Sequence, residues 1–512
     1  MTASNASTQT NARISAERGA WPHDSESVTA RTSLGNYALR TAGYAFSGSR
    51  LRRLMAADVM PRDELLRLQE RKLGRLLRHA KETVPFYAEI LADTDIGDDD
   101  RRPLETLQQM PFLTKRDISA NFPDRILSRG RRAFGSQHLY SSGTTADRID
   151  VIVGPWGQLS RLGLVLWRHR LGGSCPIATR RVEIPPDACS RICGANRDRP
   201  PGFAEEVRWL VDQGEGRLKA GLKTADRRLR AAIRHGLIYD ETLPPFGPEG
   251  TAIRDESLQT YIDAIREARP HLLAGLPTYL HQLARFMHRS GQRLHVPVIH
   301  PMGALSTEHQ RRLIADAFGG RLYDTYGSSE LGTFSSQCAE QIHLHVAMSS
   351  YIVEVVSDGR PARDGELGHI AVTSLDNRSM PLIRYLLGDV GRRYTSDCAC
   401  GRTSDQIECN GRLQSLIITS AGKPVTEEEV MDLAYDDLGL EHFQLVEHRP
   451  GEFDLMVVPE PGKEIDRTTV SDAFAELLDN PRQLECFPVN SIYPEPTGKY
   501  RFVKSASWER FT

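Results

Sequence analysis

Five consecutive small residues, Ser141-Ser-Gly-Thr-Thr145, separate two apolar stretches and force a tight loop between them. Leu139 and Tyr140 lead in, and the β-branched run from Ile149 to Val153 leads out, so the loop joins two extended segments. Small side chains let backbone N–H groups approach an anion closely, and the hydroxyls add donors, which suits a polyphosphate. A Ser/Thr-rich surface turn has the same composition, and no Gly-Lys-Ser/Thr follows as in a Walker A loop. Support for phosphate binding must come from elsewhere in the chain.

A length of 512 residues exceeds what one core supports, so two or more domains are expected. Hydrophobic residues at 39% and charged residues at 26% are ordinary for a soluble enzyme. The 65 basic residues nearly balance the 67 acidic ones, which excludes a global attraction to nucleic acid or anionic membrane. No uncharged apolar run approaches the roughly 18 residues of a membrane span. Residues 1–30 are rich in Ser, Thr, Ala and Asn and lack the apolar core of a secretory signal, so a disordered leader is expected. Eight cysteines in this length do not make a disulfide scaffold, and a reducing cytoplasm is the expected compartment. Nothing in the pattern sets an oligomeric state.

From Asp63 to Leu91, Leu65, Leu68, Leu73, Leu76, Leu77, Ala80 and Val84 recur at helical spacing, predicting an amphipathic helix ended near Pro85. The stretch from Cys175 to Gly250 is Arg-rich and broken by Pro-Pro pairs; it carries no motif, and Cys189 and Cys193 are read as free thiols. Helical periodicity returns from Glu256 to Arg289 in two segments separated by Pro270 and Ala274-Gly-Leu-Pro277. Thr307 and Gln310 form a capping box for a helix that stops at Phe318-Gly-Gly320. A short strand, Arg321 to Thr325, delivers a second hydroxyl cluster, Tyr326-Gly-Ser-Ser-Glu330. Runs at Tyr351 to Val356, Gly368 to Thr373 and Leu382 to Leu386 predict strands packed on one face. Past Gly411 a second capping box, Thr426 and Glu429, a hairpin around Pro450-Gly451, a helix from Val470 to Leu478 and a strand near Val489 to Tyr493 predict a small α+β unit.

Taken singly, each cluster has a plain structural explanation. Together, Ser141 to Thr145, Tyr326 to Glu330, Tyr385-Leu-Leu-Gly-Asp389, Gly411-Arg412 and Pro496-Thr-Gly-Lys499 occur in one order, and in it the chain resembles the adenylate-forming superfamily of acyl-CoA synthetases, adenylation domains and luciferases. Ser379-Met-Pro-Leu-Ile-Arg384, Cys398-Ala-Cys-Gly401 and Ala80 to Tyr87 are similar to the phenylacetate-CoA ligase and CapK branch. The resemblance implies an α/β fold: a large N-terminal domain over 31–410, with a distorted β-barrel part, and a small, mobile C-terminal α+β domain over 411–512. It implies a ligase that activates a carboxylic acid, aromatic by analogy, as an acyl-adenylate with release of pyrophosphate. The acceptor would be a thiol such as CoA, or an amine.

By the same resemblance Ser141, Ser142, Gly143, Thr144 and Thr145 would hold the β- and γ-phosphates of ATP, and Ser329 the α-phosphate. Tyr326 and Gly327 would flank the adenine, Gly303 would belong to the nucleotide site, and Asp389 would accept from the ribose hydroxyls. Glu330 would bind Mg²⁺, Lys499 would meet the carboxylate and the α-phosphate, and Arg412 would act at the hinge.

Cys338, His345, Cys398 and Cys400 form a second constellation: three thiols and an imidazole suit tetrahedral zinc, and four protein ligands make such a site structural. The CapK-like branch favours His345 over His343; Cys409 is a spare ligand, and unligated thiols are the alternative. The chain also departs from the family. Its phosphate loop ends Ala146-Asp147-Arg148, its hinge reads Leu413-Gln414-Ser415, and Ser420-Ala-Gly-Lys-Pro-Val425 replaces a glycine-rich segment. These leave room for two other outcomes: adenylation of an unusual or cofactor-borne acid, or an inactive nucleotide-binding scaffold.

Overall fold

The computed structural model describes residues 33–94, 103–129, 136–140, 149–175, 177–185, 221, 238–246, 253–340, 343–395, 397–438, 440–459, 464–495 and 499–511. Ser33 caps α1 (Leu34–Asp58) by accepting from the Asn36 N–H at 3.2 Å. The predicted amphipathic helix is α2 (Arg62–Thr83), with Leu65, Leu73, Leu76, Leu77 and Ala80 buried. It ends at Val84 because a residue before proline is pushed out of the helical region, and Pro85 opens α3 (Pro85–Ile90). Two short helices follow, α4 (Pro103–Gln109) and α5 (Lys115–Asn121), the latter held by a Thr114/Asp117 capping box.

The first hydroxyl loop lies between β1 (Gln137–Tyr140) and β2 (Asp150–Val153), extended on both sides as expected from the flanking residues, and the two strands pair antiparallel. Residues 141–148 themselves fall outside the described residues. β2 runs into α6 (Pro155–Leu171), whose fully buried Trp167 donates to Asp58 Oδ2 at 2.7 Å. Burial raises the Asp58 carboxyl to about 6, against the opposing pull of Trp167 and Arg402.

A five-stranded parallel sheet comes next, in the order β4-β3-β5-β6-β7. Its elements are β3 (Arg181–Ile184), β4 (Glu241–Thr242), α7 (Asp255–Ala268), β5 (Leu272–Gly275), α8 (Pro277–Arg289), β6 (Val298–Pro301), α9 (Glu308–Phe318) and β7 (Arg321–Leu322). The two helices predicted over 256–289 are α7 and α8; the apolar stretch between them is a strand with all of its residues buried. A strand covered on both faces reads as a short apolar run without alternation, so periodicity does not reveal it. α9 begins at the Thr307/Gln310 capping box and ends at Gly319 in the left-handed region, as expected.

An antiparallel eight-stranded sheet follows, ordered β12-β11-β13-β14-β15-β10-β9-β8. It comprises β8 (Thr325–Ser328), β9 (Gly332–Gln337), β10 (Leu344–Val346), β11 (Tyr351–Ser357), β12 (Arg360–Pro361), β13 (Gly368–Ser374), β14 (Tyr385–Tyr394) and β15 (Gln406–Arg412). One-sided burial was expected here and is not found: six of the seven residues of β11 are buried. Arg384, just before β14, sits at φ +51° and is 7% exposed. Its guanidinium pairs with Glu354 at 3.0 Å, donates to the Gln108 carbonyl at 2.9 Å and lies 4.0 Å over the Phe112 ring. Removing one partner of a buried pair strands the other, so Arg384→Ala is expected to lower stability by about 3–5 kcal/mol, read by urea denaturation.

The remaining elements are β16 (Ile417–Ile418), β17 (Pro424–Val425), α10 (Glu427–Asp432), β18 (His442–Arg449), β19 (Glu452–Val458), α11 (Arg467–Leu477), β20 (Gln483–Pro488) and β21 (Val503–Lys504). α10 starts at the Thr426/Glu429 capping box, and β18 and β19 form the hairpin around Pro450-Gly451. The strand expected near 489–493 lies earlier, at β20, which pairs in parallel with β19. One hydrophobic cluster runs from the parallel sheet through α8 and α9 into the β18–β19 sheet. Among the described residues no helix is long and apolar enough to cross a membrane.

Candidate active site

The end of the parallel sheet and the start of the antiparallel one meet at β8. Gly327 is required there: a Cβ would lie 2.3 Å from the Gly332 carbonyl oxygen and 2.7 Å from Thr333 Cα. Gly327→Ala must open the β8–β9 turn and is expected to destabilise the fold by about 1–3 kcal/mol, measured by thermal melting. Tyr326, on β8, packs edge-on against Phe334 at 4.8 Å and donates its hydroxyl to Asp389 Oδ2 at 2.6 Å. Asp389 stands opposite Arg412 in the β14–β15 ladder, and the Arg412 Nη1 lies 3.0 Å from Asp389 Oδ1. Both Asp389 oxygens are thus engaged, and the carboxylate is 7% exposed. Burial, and then Asp389, pushes the Tyr326 phenol well above its ordinary range, so it remains a donor.

Glu330 is 6% exposed, and its Oε1 accepts from the Tyr385 hydroxyl at 3.2 Å. Burial first, and then Glu330, raises the Tyr385 phenol in the same way. Arg161 of α6 donates to the carbonyl of Ser329 at 3.1 Å and to that of Glu330, fixing the backbone that carries both side chains. On the other side, Gly303 follows β6 at φ +81°. A Cβ there would sit 3.8 Å from Lys499 Nζ, so the lysine supplied by the last part of the chain points at the carboxyl end of the parallel sheet. Ligands of open α/β sheets bind at that end.

The structure therefore brings Tyr326, Asp389 and Arg412 into one hydrogen-bonded unit, joins Glu330 to Tyr385, and sets Lys499 against Gly303. Ser141, Ser142, Gly143, Thr144 and Thr145 lie outside the described residues, as do Thr497 and Gly498 beside Lys499 and the pair Cys189 and Cys193. Tyr385 and Arg161 had no assigned role in the sequence. Tyr385 opens a motif already singled out, and its spacing from Asp389 was the available signal; Arg161 is one arginine among several on α6 and had none.

The donor atoms of Cys338, His345, Cys398 and Cys400 all lie within 4.8 Å of one another. Cys338 Sγ is 3.8 Å from Cys398 Sγ, and Cys400 Sγ is 3.3 Å from His345 Nε2. The other ring nitrogen of His345 contacts Ser404 Oγ at 3.1 Å, which turns Nε2 toward the thiols. His343 is elsewhere, stacked on Tyr394 at 4.2 Å, and Cys409 lies on β15 opposite Gly391. Three sulfurs and one imidazole nitrogen converging in this way fit a tetrahedral soft-donor metal site.

Fold and site define the class: the chain has the fold of the adenylate-forming ligases and is a distant relative of phenylacetate-coenzyme A ligases. Among individual proteins, it is 25% identical to the phenylacetate-coenzyme A ligase of Thermus thermophilus over 434 residues, covering 82% of this chain and 87% of the relative. The phenylacetate-coenzyme A ligase of Escherichia coli is 25% identical over 425 residues, covering 79% and 84%. Of solved structures, 2-hydroxyisobutyryl-CoA ligase in its postadenylation state, complexed with R3-HIB-AMP, superposes with a TM-score of 0.63 at 18% identity, covering 88% of this chain and 91% of that one. The same ligase in its thioesterification state gives 0.52 at 19% identity over 88% and 91%. No protein-family model matches the chain.

Proposed function

We propose that the protein is an ATP-dependent ligase that joins a carboxylic acid to AMP, releasing pyrophosphate, and then passes the acyl group to a thiol or an amine. Lys499 set against Gly303 at the sheet end supports this most directly. In the first step a carboxylate oxygen forms a bond to the α-phosphorus while the bond to the bridging oxygen breaks and pyrophosphate leaves. Such an in-line transfer needs alignment and charge neutralisation more than covalent help. Asp389, fixed between Tyr326 and Arg412, would receive the ribose hydroxyls; Ser329 and the Ser141–Thr145 loop would donate to the phosphates; Lys499 would place its ammonium between the acid and the α-phosphate. Glu330, a hard oxygen donor steadied by Tyr385, would hold Mg²⁺, which neutralises phosphate charge when bound. Arg161 would keep Ser329 and Glu330 in register. In the second step the acceptor's sulfur or nitrogen attacks the acyl carbon, the acyl–phosphate oxygen bond breaks, AMP leaves, and the acceptor's proton passes to solvent.

An aromatic acid and CoA are the first substrates to try, because the named relatives are phenylacetate-coenzyme A ligases. Residues 31–410 are taken as the ATP- and acid-binding domain, the eight-stranded sheet serving as its barrel-like part, and 411–512 as the mobile domain. Zinc at Cys338, His345, Cys398 and Cys400 would be structural. Pyrophosphate release from MgATP is measured over aryl, fatty and amino acids, with and without CoA, ammonia and small amines. Release that depends on one acid supports the proposal, and the acceptor that speeds turnover separates thioester from amide formation. No release with any acid, alongside retained ATP binding, points to the inactive scaffold.

A further inference from the structure

We infer that three side chains outside the nucleotide site, His281, Gln282 and His442, form a docking seam that positions Lys499 and is built to let it go; the inference rests on the adenylation chemistry proposed above. Every residue of α8 from Pro277 to Met287 is buried. On the side facing the carboxy-terminal segment, the His281 ring lies 5.4 Å from Tyr435 and 6.3 Å from His442, and Gln282 Nε2 is 3.5 Å from His442 Nε2. Next to His442 on β18, Phe443 stacks on Phe502 at 5.5 Å, and Phe502 on Tyr500 at 6.2 Å. Lys499 is the residue before Tyr500. Separation at α8 therefore carries Lys499 away from Gly303.

The chemistry of the seam is that of a reversible contact. His281 and His442 are 0% exposed, yet both ring nitrogens of His281, Nδ1 of His442 and the Tyr435 hydroxyl have no hydrogen-bond partner among the described residues. Buried polar atoms left unmet oppose burial, whereas water satisfies them once the seam opens. Apolar residues of similar volume would hold a permanent core more tightly. Groups facing the two imidazoles are Arg285 from α8, His309 from α9 and Tyr435 from the segment before β18, and Tyr435 in turn faces Glu441 and Tyr500; Arg289 and Glu441 close the rim at 3.9 Å. Burial, then His442 and Arg285, holds the His281 imidazole well below its ordinary range, and burial, then Arg285, brings His442 down to about 3. A proton thus prefers the open state. Docking is complete above the ordinary imidazole range, near 6.5, and is lost progressively as pH falls below it.

The test separates the half-reactions of the full-length protein: pyrophosphate release for adenylation, and AMP release from a supplied acyl-adenylate plus acceptor for transfer. His281→Lys, which places a charge in the seam, is expected to slow adenylation at least about a hundredfold while transfer stays within about twofold. A variant carrying both His281→Leu and His442→Leu is expected to adenylate like the parent near neutral pH and to lack the parent's loss below about pH 6.5. Hydrogen exchange supplies a readout without substrate: once corrected for the base-catalysed intrinsic rate, α8 amides of the parent should show lower protection factors at pH 5.5 than at 7.5, those of the double-leucine variant should not, and β13 and β14 should stay protected in both. Equal loss of both half-reactions in His281→Lys, or identical pH responses of parent and double-leucine variant in exchange, overturns the seam. Seam-dependent exchange in a protein that adenylates no acid would instead overturn the ligase chemistry and leave the seam standing.

Discussion

Replacing Lys499 with alanine is expected to slow pyrophosphate release by about 10²–10³-fold, the usual cost of removing one charge-stabilising donor from a transferring centre. The acid and the α-phosphate are both negative, and their approach is opposed until a cation stands between them. Lys499 is half-buried beside Gly303, where φ +81° and the absence of a side chain leave room for the ammonium. ATP binding should change little, because Tyr326, Asp389 and Arg412 form their own unit on β8, β14 and β15. Transfer from a supplied acyl-adenylate should also be spared, since the charge conflict has passed by then. Stopped-flow pyrophosphate detection with saturating MgATP and the best acid measures the first quantity, and nucleotide titration the second. A Lys499→Ala protein that adenylates within about threefold of the parent would remove the residue from the mechanism.

Removing the zinc proposed for the Cys338, His345, Cys398 and Cys400 cluster is expected to have a large effect on stability. The loop bearing Cys398 and Cys400 continues into Arg402, whose Nε lies 3.2 Å from Asp58 Oδ2, and into Thr403, whose N–H donates to the Asp58 carbonyl at 3.1 Å and whose hydroxyl donates to the Met60 carbonyl at 2.6 Å. Arg62 of α2 reaches back to the Thr403 carbonyl at 3.0 Å. The four-donor cluster therefore closes the loop that ties the antiparallel sheet to α1 and α2. Structural zinc contributes folding free energy outright. The purified protein is expected to hold about one zinc per chain, and Cys398→Ser or a strong chelator to lower the melting temperature by about 5–15 °C. Elemental analysis without zinc, together with a melting temperature indifferent to chelator, would leave the four residues as unligated side chains.

Much of this arrangement can be read in the sequence where local chemistry leaves a mark. Thr307 and Gln310, and Thr426 and Glu429, announce two helix starts because a capping box is written in residues three apart. His345 and the Cys398-x-Cys400 turn announce a four-donor cluster with Cys338 because few other roles ask for those residues together. Long-range packing leaves no such mark. α1 was not anticipated, since its buried residues, Arg40, Tyr44, Ser47, Leu54, Ala57 and Asp58, include three polar ones and make no apolar stripe. β5 was hidden by being covered on both faces, and β20 was misplaced because its alternation is weak: only Cys486 is buried. Arg161 reaches the site through two backbone carbonyls more than a hundred residues away. The histidines of the seam looked like ordinary helix and strand residues until α8 and β18 met.

The most direct measurement follows one oxygen. Acid labelled with ¹⁸O in its carboxyl group is incubated with MgATP, the enzyme and the best acceptor, and the products are analysed by mass spectrometry. Attack of the carboxylate on the α-phosphorus requires a single labelled oxygen to appear in AMP and none in pyrophosphate. Label in inorganic phosphate with ADP as the nucleotide product, or AMP free of label, would contradict adenylate formation by this site.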